Sequence, residues 1–403
     1  MVATTKSLLD RRIDFDDYLI WSTLASVFMM ITIGRAGIDL YLGYPLLLLN
    51  LALLLKTNRL AIHPNHVIVL VVLAGFGTFS AVLASTPMPA LLAQLAGITV
   101  FSIYYFTALT GFGVPLIRWM DNYARMGFFV AICGLLQWAV WRALHLGDGR
   151  LKDFYSEPAI YVFTMLPALG YFANVWLTQR RYGVELLVVL ASFICAGSSL
   201  GFIGILFLAI LAMIGRMKRW QIVLGTILLS LSTVATYMVS ANFRLRINDT
   251  VTAMASQDLA GTNASTFALL SNAYVAWRTL LDHPLTGVGL GGYQFVYTQY
   301  IGDVIGTDPK TLDLINLNMF DANSMILRVG AEFGLPGLIA LFGFVVVCAQ
   351  VKDEQHRLIR NAILPYLLVR IGRLGAYFTM ELYFFLGLYL LNYLESRRID
   401  KER

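Results

Sequence analysis

The chain has 403 residues, of which 58% are hydrophobic and 13% charged, with a mean hydropathy of +0.70. Soluble domains are about half apolar and about one-quarter charged, so a soluble enzyme, a disordered chain and a nucleic-acid binder are excluded. The formal charge of +6 then reads as the loop charge of a membrane protein, not as a basic binding face.

A membrane-crossing helix needs about 20 largely apolar residues. In chain order, such segments are expected at 18–34, 38–55, 67–85, 91–113, 126–144, 159–177, 184–197, 200–215, 221–239, 324–350, 358–373 and 376–394. The first follows a basic N-terminus, lacks a small-residue cleavage site and reads as an uncleaved span. The seventh and eighth are short and joined by Ala196-Gly197-Ser198-Ser199, which would also suit a broken pair around a buried turn. Pro365 interrupts the short eleventh segment. The expected fold class is therefore an all-α polytopic membrane protein with 11–12 transmembrane helices. Three regions follow: helices over 1–239, a hydrophilic region over 240–323, and helices with a tail over 324–403.

Sidedness comes from the cations. With the N-terminus inside, 19 of the 30 Lys and Arg residues fall on the cytoplasmic side and 11 outside. That bias obeys the positive-inside rule, makes both termini cytoplasmic and puts 240–323 outside. Trp119, Trp141, Trp176 and Trp220 fall near segment ends, as interface anchors do. Cys133, Cys195 and Cys348 all lie in apolar segments, and neither a disulfide framework nor a metal motif can be drawn from them.

The 240–323 region carries its own order. Ser265 is placed to cap a helix over 266–282, with Phe267, Leu270, Tyr274, Trp277 and Leu281 on one face. A second helix is expected from Asp308 and Pro309, with Leu312, Ile315 and Met319 as its apolar side. Both would lie at the membrane surface and roof a cavity. Between them runs His283-Pro284-Leu285-Thr286-Gly287-Val288-Gly289-Leu290-Gly291-Gly292-Tyr293. Gly287, Gly289 and Gly292 match G-x-G-x-x-G, but no strand precedes them and no βαβ unit surrounds them, so a dinucleotide site is rejected. The remaining reading is a tight turn able to approach a ligand or another helix closely.

His283-Pro284-Leu285-x-Gly287-Val288-Gly289-x-Gly291, followed by Asp321-Ala322-Asn323-Ser324 and Glu332-x-Gly334-x-x-Gly337, resembles the bacterial O-antigen polymerase and O-antigen ligase superfamily. Phe154-Tyr155-Ser156-Glu157-Pro158 and Ser198-Ser199-x-Gly201 resemble further motifs of that family, as does one large periplasmic loop before the last spans. Ligases resembling this family carry a His-Asn pair where this chain has Asn323 and Ser324, which favours the polymerase branch. Leu200 and Leu269 stand where family members often have arginine.

The resemblance implies a GT-C-like glycosyltransferase in the bacterial inner membrane, using undecaprenyl diphosphate-linked oligosaccharide on the periplasmic face. It implies no cofactor, no metal and no nucleic acid. A chain-length regulator and a flippase are the partners it suggests besides membrane lipid. A departing diphosphate needs cations, and the attacking hydroxyl needs a carboxylate or polar group. Arginine, with its planar fork, suits the phosphates. Arg244 and Arg246 are the first candidates, with Arg278 and the carboxylate of Glu157 as further catalytic groups. Arg150, His283, Gly289, Tyr293, Asp321, Asn323, Glu332, Arg370 and Arg373 are candidate substrate contacts. Tyr293, Tyr297 and Tyr300 could stack on sugar rings, and Asp321 and Asn323 could bind sugar hydroxyls. Structural roles compete with these: Arg328 with Glu332, and Glu381 with Arg370 or Arg373, are placed to pair. The alternatives to a polymerase are a ligase and a polysaccharide transport or assembly component. A transporter would show matched halves with broken helices, and no such symmetry is visible.

Overall fold

The computed structural model describes residues 15–35, 39–60, 64–145, 149–213, 231, 234, 237–238, 241–256, 259, 262–303 and 313–402. Among these, the elements in chain order are α1 (Phe15–Phe28), β1 (Thr32–Arg35), β2 (Asp39–Tyr41), α2 (Gly43–Lys56), α3 (Pro64–Leu83), α4 (Met88–Gly111), α5 (Leu116–Ala143), α6 (Pro158–Gln179), α7 (Gly183–Ala196) and α8 (Ser199–Met213). Then come α9 (Ala241–Ser256), α10 (Ala264–Asp282), α11 (Tyr293–Tyr300), α12 (Met325–Cys348), α13 (Glu354–Arg373) and α14 (Met380–Glu402). The expected span 221–239 falls almost wholly outside the described residues, and the helix start at Asp308 and Pro309 falls wholly outside them.

Five of these helices are long and apolar enough to cross a membrane: α3, α4, α5, α6 and α12. The chain is a multi-pass, all-α membrane protein. Burial orders the bundle: 78% of the apolar window of α6 is buried but only 17% of that of α3, so α6 is central and α3 peripheral. Small residues let the central helices meet. A Cβ on Gly170 of α6 would lie 2.9 Å from the Ala362 backbone of α13. Asn361 Nδ2 donates to Asn174 Oδ1 across the same interface at 3.2 Å. Polar ties also join α1, α2 and α4: Thr23 with Tyr104 at 2.7 Å, Ser26 with Tyr105 at 2.9 Å, and Asn50 Nδ2 to the Tyr104 hydroxyl at 2.9 Å.

Three expectations need correction. Segment 18–34 is not one helix: α1 stops at Phe28, and Thr32–Arg35 pairs antiparallel with Asp39–Tyr41. Hydropathy cannot separate an apolar strand from an apolar helix, and β-branched Ile31, Thr32 and Ile33 favour the strand. Helix α5 begins at Leu116, ahead of the expected 126, because its first turns are polar and helix continues past the apolar stretch. The cap of α10 is Asn263, whose Oδ1 accepts from Ser265 N and Thr266 N at 3.1 Å. Ser265 instead accepts a hydrogen bond from Arg373 Nη2 at 2.9 Å.

The chain turns between the seventh and eighth segments, where Ser198 is buried but Gly197 and Ser199 are exposed. Helices α7 and α8 have 14 and 15 residues and meet at Gly197, which has φ +55°. At 1.5 Å per residue α7 is about 21 Å long, short of a hydrocarbon core of about 30 Å. Segment 149–153 covers the turn, with Leu151 N donating to Cys195 O at 3.0 Å.

The loops expected on one side of the membrane gather at one end of the bundle, here called the cap end. Tyr44 donates to Phe378 O at 2.7 Å, and Thr86 donates to Val288 O at 2.6 Å. The 241–324 region sits there with its own apolar cluster, which includes Val275, Tyr293, Tyr297 and Ala331.

Candidate functional site

Helix α12 is broken at Gly334, which has φ +65° and ψ −157°. The glycine turn fills the break. Val288 N donates to Ala331 O, Gly289 N to Glu332 O and Leu335 N to Pro284 O, at 2.8 to 2.9 Å. Carbonyls that the broken helix leaves without partners are thereby satisfied. A Cβ on Gly289 (φ +80°) would lie 2.4 Å from the Ala81 backbone of α3, so only glycine fits there. The turn thus approaches helices α3, α4 and α12 closely, and its Gly291 lines the adjoining cavity. The motif is the joint that fixes the 241–324 region to the bundle.

This joint sets the position of a buried polar cluster in the first half of α12. Arg328 and Glu332, four residues apart, form an ion pair with Arg328 Nε 3.1 Å from Glu332 Oε1. Arg328 Nη1 donates to Gly375 O at 3.1 Å, and its guanidinium lies 4.0 Å from the Tyr377 ring centroid. Its Nη2 carries no hydrogen bond among the described residues. Beside it, residues 318–323 make a tight turn, with Asn318, Ala322 and Asn323 all at positive φ. Asp321 Oδ1 holds the turn by accepting from Asn318 Nδ2 at 3.0 Å and Asn323 N at 3.1 Å. The Asn323 Nδ2 is buried without a hydrogen-bond partner among the described residues.

The cluster borders a cavity of about 670 Å³. Its walls are mostly apolar, from Leu47 and Leu48 of α2, Val100 and Phe101 of α4, and Phe378. Its polar lining is Gln94, Gln294, Asp321 and Arg328, with Arg328 the cation among the described lining residues. Gln94 Oε1 is buried with no hydrogen-bond partner. Such a space suits a ligand with an apolar body and an anionic, hydroxyl-bearing end.

Of the expected site residues, the structure brings Asp321 to the cavity lining and groups Asn323 and Glu332 beside it. The others sit elsewhere. Tyr293 is fully buried and donates to Asn272 Oδ1 at 2.8 Å, so its ring belongs to the loop's core. Tyr297 is buried beside it, and Tyr300 donates to Asp282 at 2.5 Å. Gly289 and His283 belong to the joint, His283 as the C-cap of α10. Arg370 is fully buried: it donates to Leu374 O, to Ala376 O at 2.6 Å and to Thr379 Oγ1 at 2.9 Å, and lies 3.7 Å from Glu381. It clamps the turn between α13 and α14. Arg373 ties that turn to α10 through Ser265.

Glu157 is the exposed N-cap of α6, and its side chain makes no capping hydrogen bond. Arg244 is exposed on α9 and donates to Met238 O at 3.3 Å. Arg278 is exposed on α10, and the Arg150 Cδ lies 3.9 Å from where a Cβ on Gly197 would be. None of these four lines the cavity. The Arg246 side chain lies outside the described residues.

Four features were not anticipated: Arg328, read from the sequence only as a partner for Glu332, and Gln294 line the cavity, and two more follow. Gln94 interrupts the apolar 91–113 segment, and that interruption was its available signal. Asp153, four residues before Glu157, is only 4% exposed, and burial pushes its carboxyl up to about 7. Nothing in the sequence around Asp153 marks it as buried.

The class this architecture defines is a multi-pass membrane protein with a structured cap over a bundle cavity. A family model described as O-antigen ligase matches residues 185–342. That stretch contains the glycine turn, the Asp321 turn and the break of α12 at Gly334. No curated protein matches the chain.

Proposed function

We propose that the protein is a polymerase of lipid-linked oligosaccharide repeat units, serving O-antigen or exopolysaccharide synthesis. The observation that carries this reading is the cavity, with apolar walls from α2 and α4 and Arg328 and Asp321 at its polar end. A polyprenyl diphosphate-linked glycan has that same division. The cap end is then periplasmic, the membrane is the bacterial inner membrane, both termini are cytoplasmic, and the fold is of the GT-C type with about twelve spans.

The reaction joins an acceptor sugar hydroxyl to the anomeric carbon of the donor glycan. The new C–O bond forms as the bond to the diphosphate breaks, and the electron pair leaves on the phosphate oxygen. Arg328, whose Nη2 carries no hydrogen bond among the described residues, stabilises that charge. Asp321 accepts the hydroxyl proton. Glu157, Arg150, Arg244 and Arg278 meet the glycan outside the cavity, and Gln94 and Gln294 bind its polar groups. Asn323 at the position of the ligase histidine supports polymerisation over ligation.

Deleting the gene should abolish long surface or secreted polysaccharide and leave single repeat units. The second reading, a ligase acting on lipid A-core, is favoured by the description of the matching family model. It wins if long chains persist and only their attachment is lost. Lipid-linked units accumulating on the cytoplasmic leaflet would instead indicate a transport component.

A further inference from the structure

The helices of the cap region are expected from the sequence to lie at the membrane surface. One edge of the region is apolar and exposed. Trp277 and Leu281, one turn apart on α10, are 59% and 52% exposed, and Leu285 in the following turn is 68% exposed. We propose that this end of α10 and the Pro284–Leu285 turn are immersed in the lipid leaflet at the cap end and anchor the cap to the membrane.

The first argument is continuity. Leu335 N donates to Pro284 O at 2.8 Å, which seats the turn on the second half of α12. Leu335 and Ile339 there are 45% and 72% exposed, on a helix long and apolar enough to cross a membrane. The α10 edge therefore extends the face that α12 gives to lipid.

The second argument is depth. From Leu335 to the end of α12 at Cys348 the helix rises about 21 Å at 1.5 Å per residue. A hydrocarbon core is about 30 Å thick, so it must reach about 9 Å beyond the break at Gly334. The Pro284–Leu285 turn sits at the level of that break. Helix α3 agrees: a Cβ on Gly77 would lie 3.3 Å from the Leu290 Cβ. Gly77 is about 9 Å short of the end of α3 at Leu83.

The third argument is polar satisfaction. Non-helical backbone at membrane depth is tolerated only where its polar groups are satisfied within protein. Here Gly287, Val288 and Gly289 each donate to a carbonyl of α12 or of the turn itself and Pro284 has no N–H, whereas Leu285 N and Thr286 N have no backbone acceptor among the described residues. Arg278 and Asp282 are exposed beside the edge, as residues at the headgroup boundary are, and tryptophan favours the same level.

The test uses the full chain in liposomes of phosphatidylethanolamine and phosphatidylglycerol, with Cys133, Cys195 and Cys348 replaced by serine. Nitroxides are attached at Leu281→Cys and Leu285→Cys, with Gln299→Cys, exposed on α11, as the reference. The expected result is a several-fold higher ratio of oxygen to nickel-chelate collisions at 281 and 285 than at 299. Equal ratios at all three positions would overturn the proposal. So would exclusion of both quenchers together with spin coupling between labels, because a second copy would then cover the edge. If a labelled variant fails to fold, wild-type and Trp277→Phe proteins are compared by tryptophan fluorescence. The Trp277 contribution should be quenched by brominated lipid and spared by iodide; the reverse pattern rejects immersion.

Discussion

Two buried Arg–Glu pairs sit near the cap end and use the same chemistry differently. Arg370 and Glu381 bridge α13 and α14 at 3.7 Å, and both Arg370 Nη atoms are engaged by Leu374, Ala376 and Thr379. Arg328 and Glu332 pair within α12 at 3.1 Å, and the Nη2 of Arg328, which borders the cavity, has no hydrogen bond among the described residues. The difference lies in which donor is left: Arg370 leaves Nε without a hydrogen bond, buried against Glu381, whereas Arg328 leaves Nη2 without one among the described residues. A guanidinium with its fork filled by backbone holds a turn; one with a donor left beside a cavity can hold a ligand. Burial and charge alone do not separate the two.

The largest effect is expected where this contrast is attacked directly. Arg328→Lys keeps a cation for Glu332 but loses the planar fork. It should cut polymer per unit of protein by about 100-fold with normal protein in the membrane. Arg370→Lys should act on amount, because the α13–α14 turn loses its clamp, and leave polymer per remaining protein near wild type. Complete removal of either arginine leaves a buried carboxylate unpaired, at a cost of about 3–5 kcal/mol, so lysine is the sharper probe. Immunoblots of membranes alongside polymer yield separate the outcomes, and the reverse assignment would break the comparison.

Asp321→Asn is the next test. The amide oxygen can still accept from Asn318 Nδ2 and Asn323 N, so the turn survives while the base is lost. Polymer per protein should fall by at least about tenfold. An unchanged yield would remove Asp321 from the chemistry and leave it as a turn brace.

Asp153 offers a test of stability. Its folded carboxyl is raised to about 7 by burial, above its ordinary value, so the native state binds the proton more tightly than the unfolded state. Its contribution is fully present below the ordinary carboxylate range and is lost as pH rises towards about 7. Above that, the curve should flatten. Thermal unfolding in nanodiscs should show stability falling from pH about 5 to about 7.5, and Asp153→Asn should remove that slope. A slope unchanged by the substitution would assign it to another group.

The smallest effects are expected at exposed groups outside the cavity. Arg244→Ala and Glu157→Gln should each lower polymer yield, by about tenfold or less, as losses in guiding the substrate, without loss of protein. Normal polymer from both would leave the cavity cluster as the whole site.

The fold was legible to the extent that apolarity and helix coincide. The segments at 67–85, 91–113 and 159–177 correspond to α3, α4 and α6, because a bilayer demands long apolar helices. The reading failed where apolar residues served another purpose, as in the strands after Phe28, or where helix ran on through polar sequence, as at Leu116. The pairs Arg328–Glu332 and Arg370–Glu381 were within reach of spacing and charge. Asp321 was marked by its motif. The cavity was not, because its walls come from α2, α4 and residues 376–378, far apart in the chain.

The sequence by itself determined that this is a polytopic membrane protein. It did so because the bilayer reads each segment's polarity locally. Only the tertiary structure decided which cation borders the cavity. The glycine turn, open in sequence to a ligand or a helix, docks on broken α12, and the exposed arginines that looked best placed lie apart from the cavity. A hydrogen bond or an ion pair consumes a donor only when a partner from elsewhere in the chain arrives. Which donor an arginine has left is therefore a property of the fold.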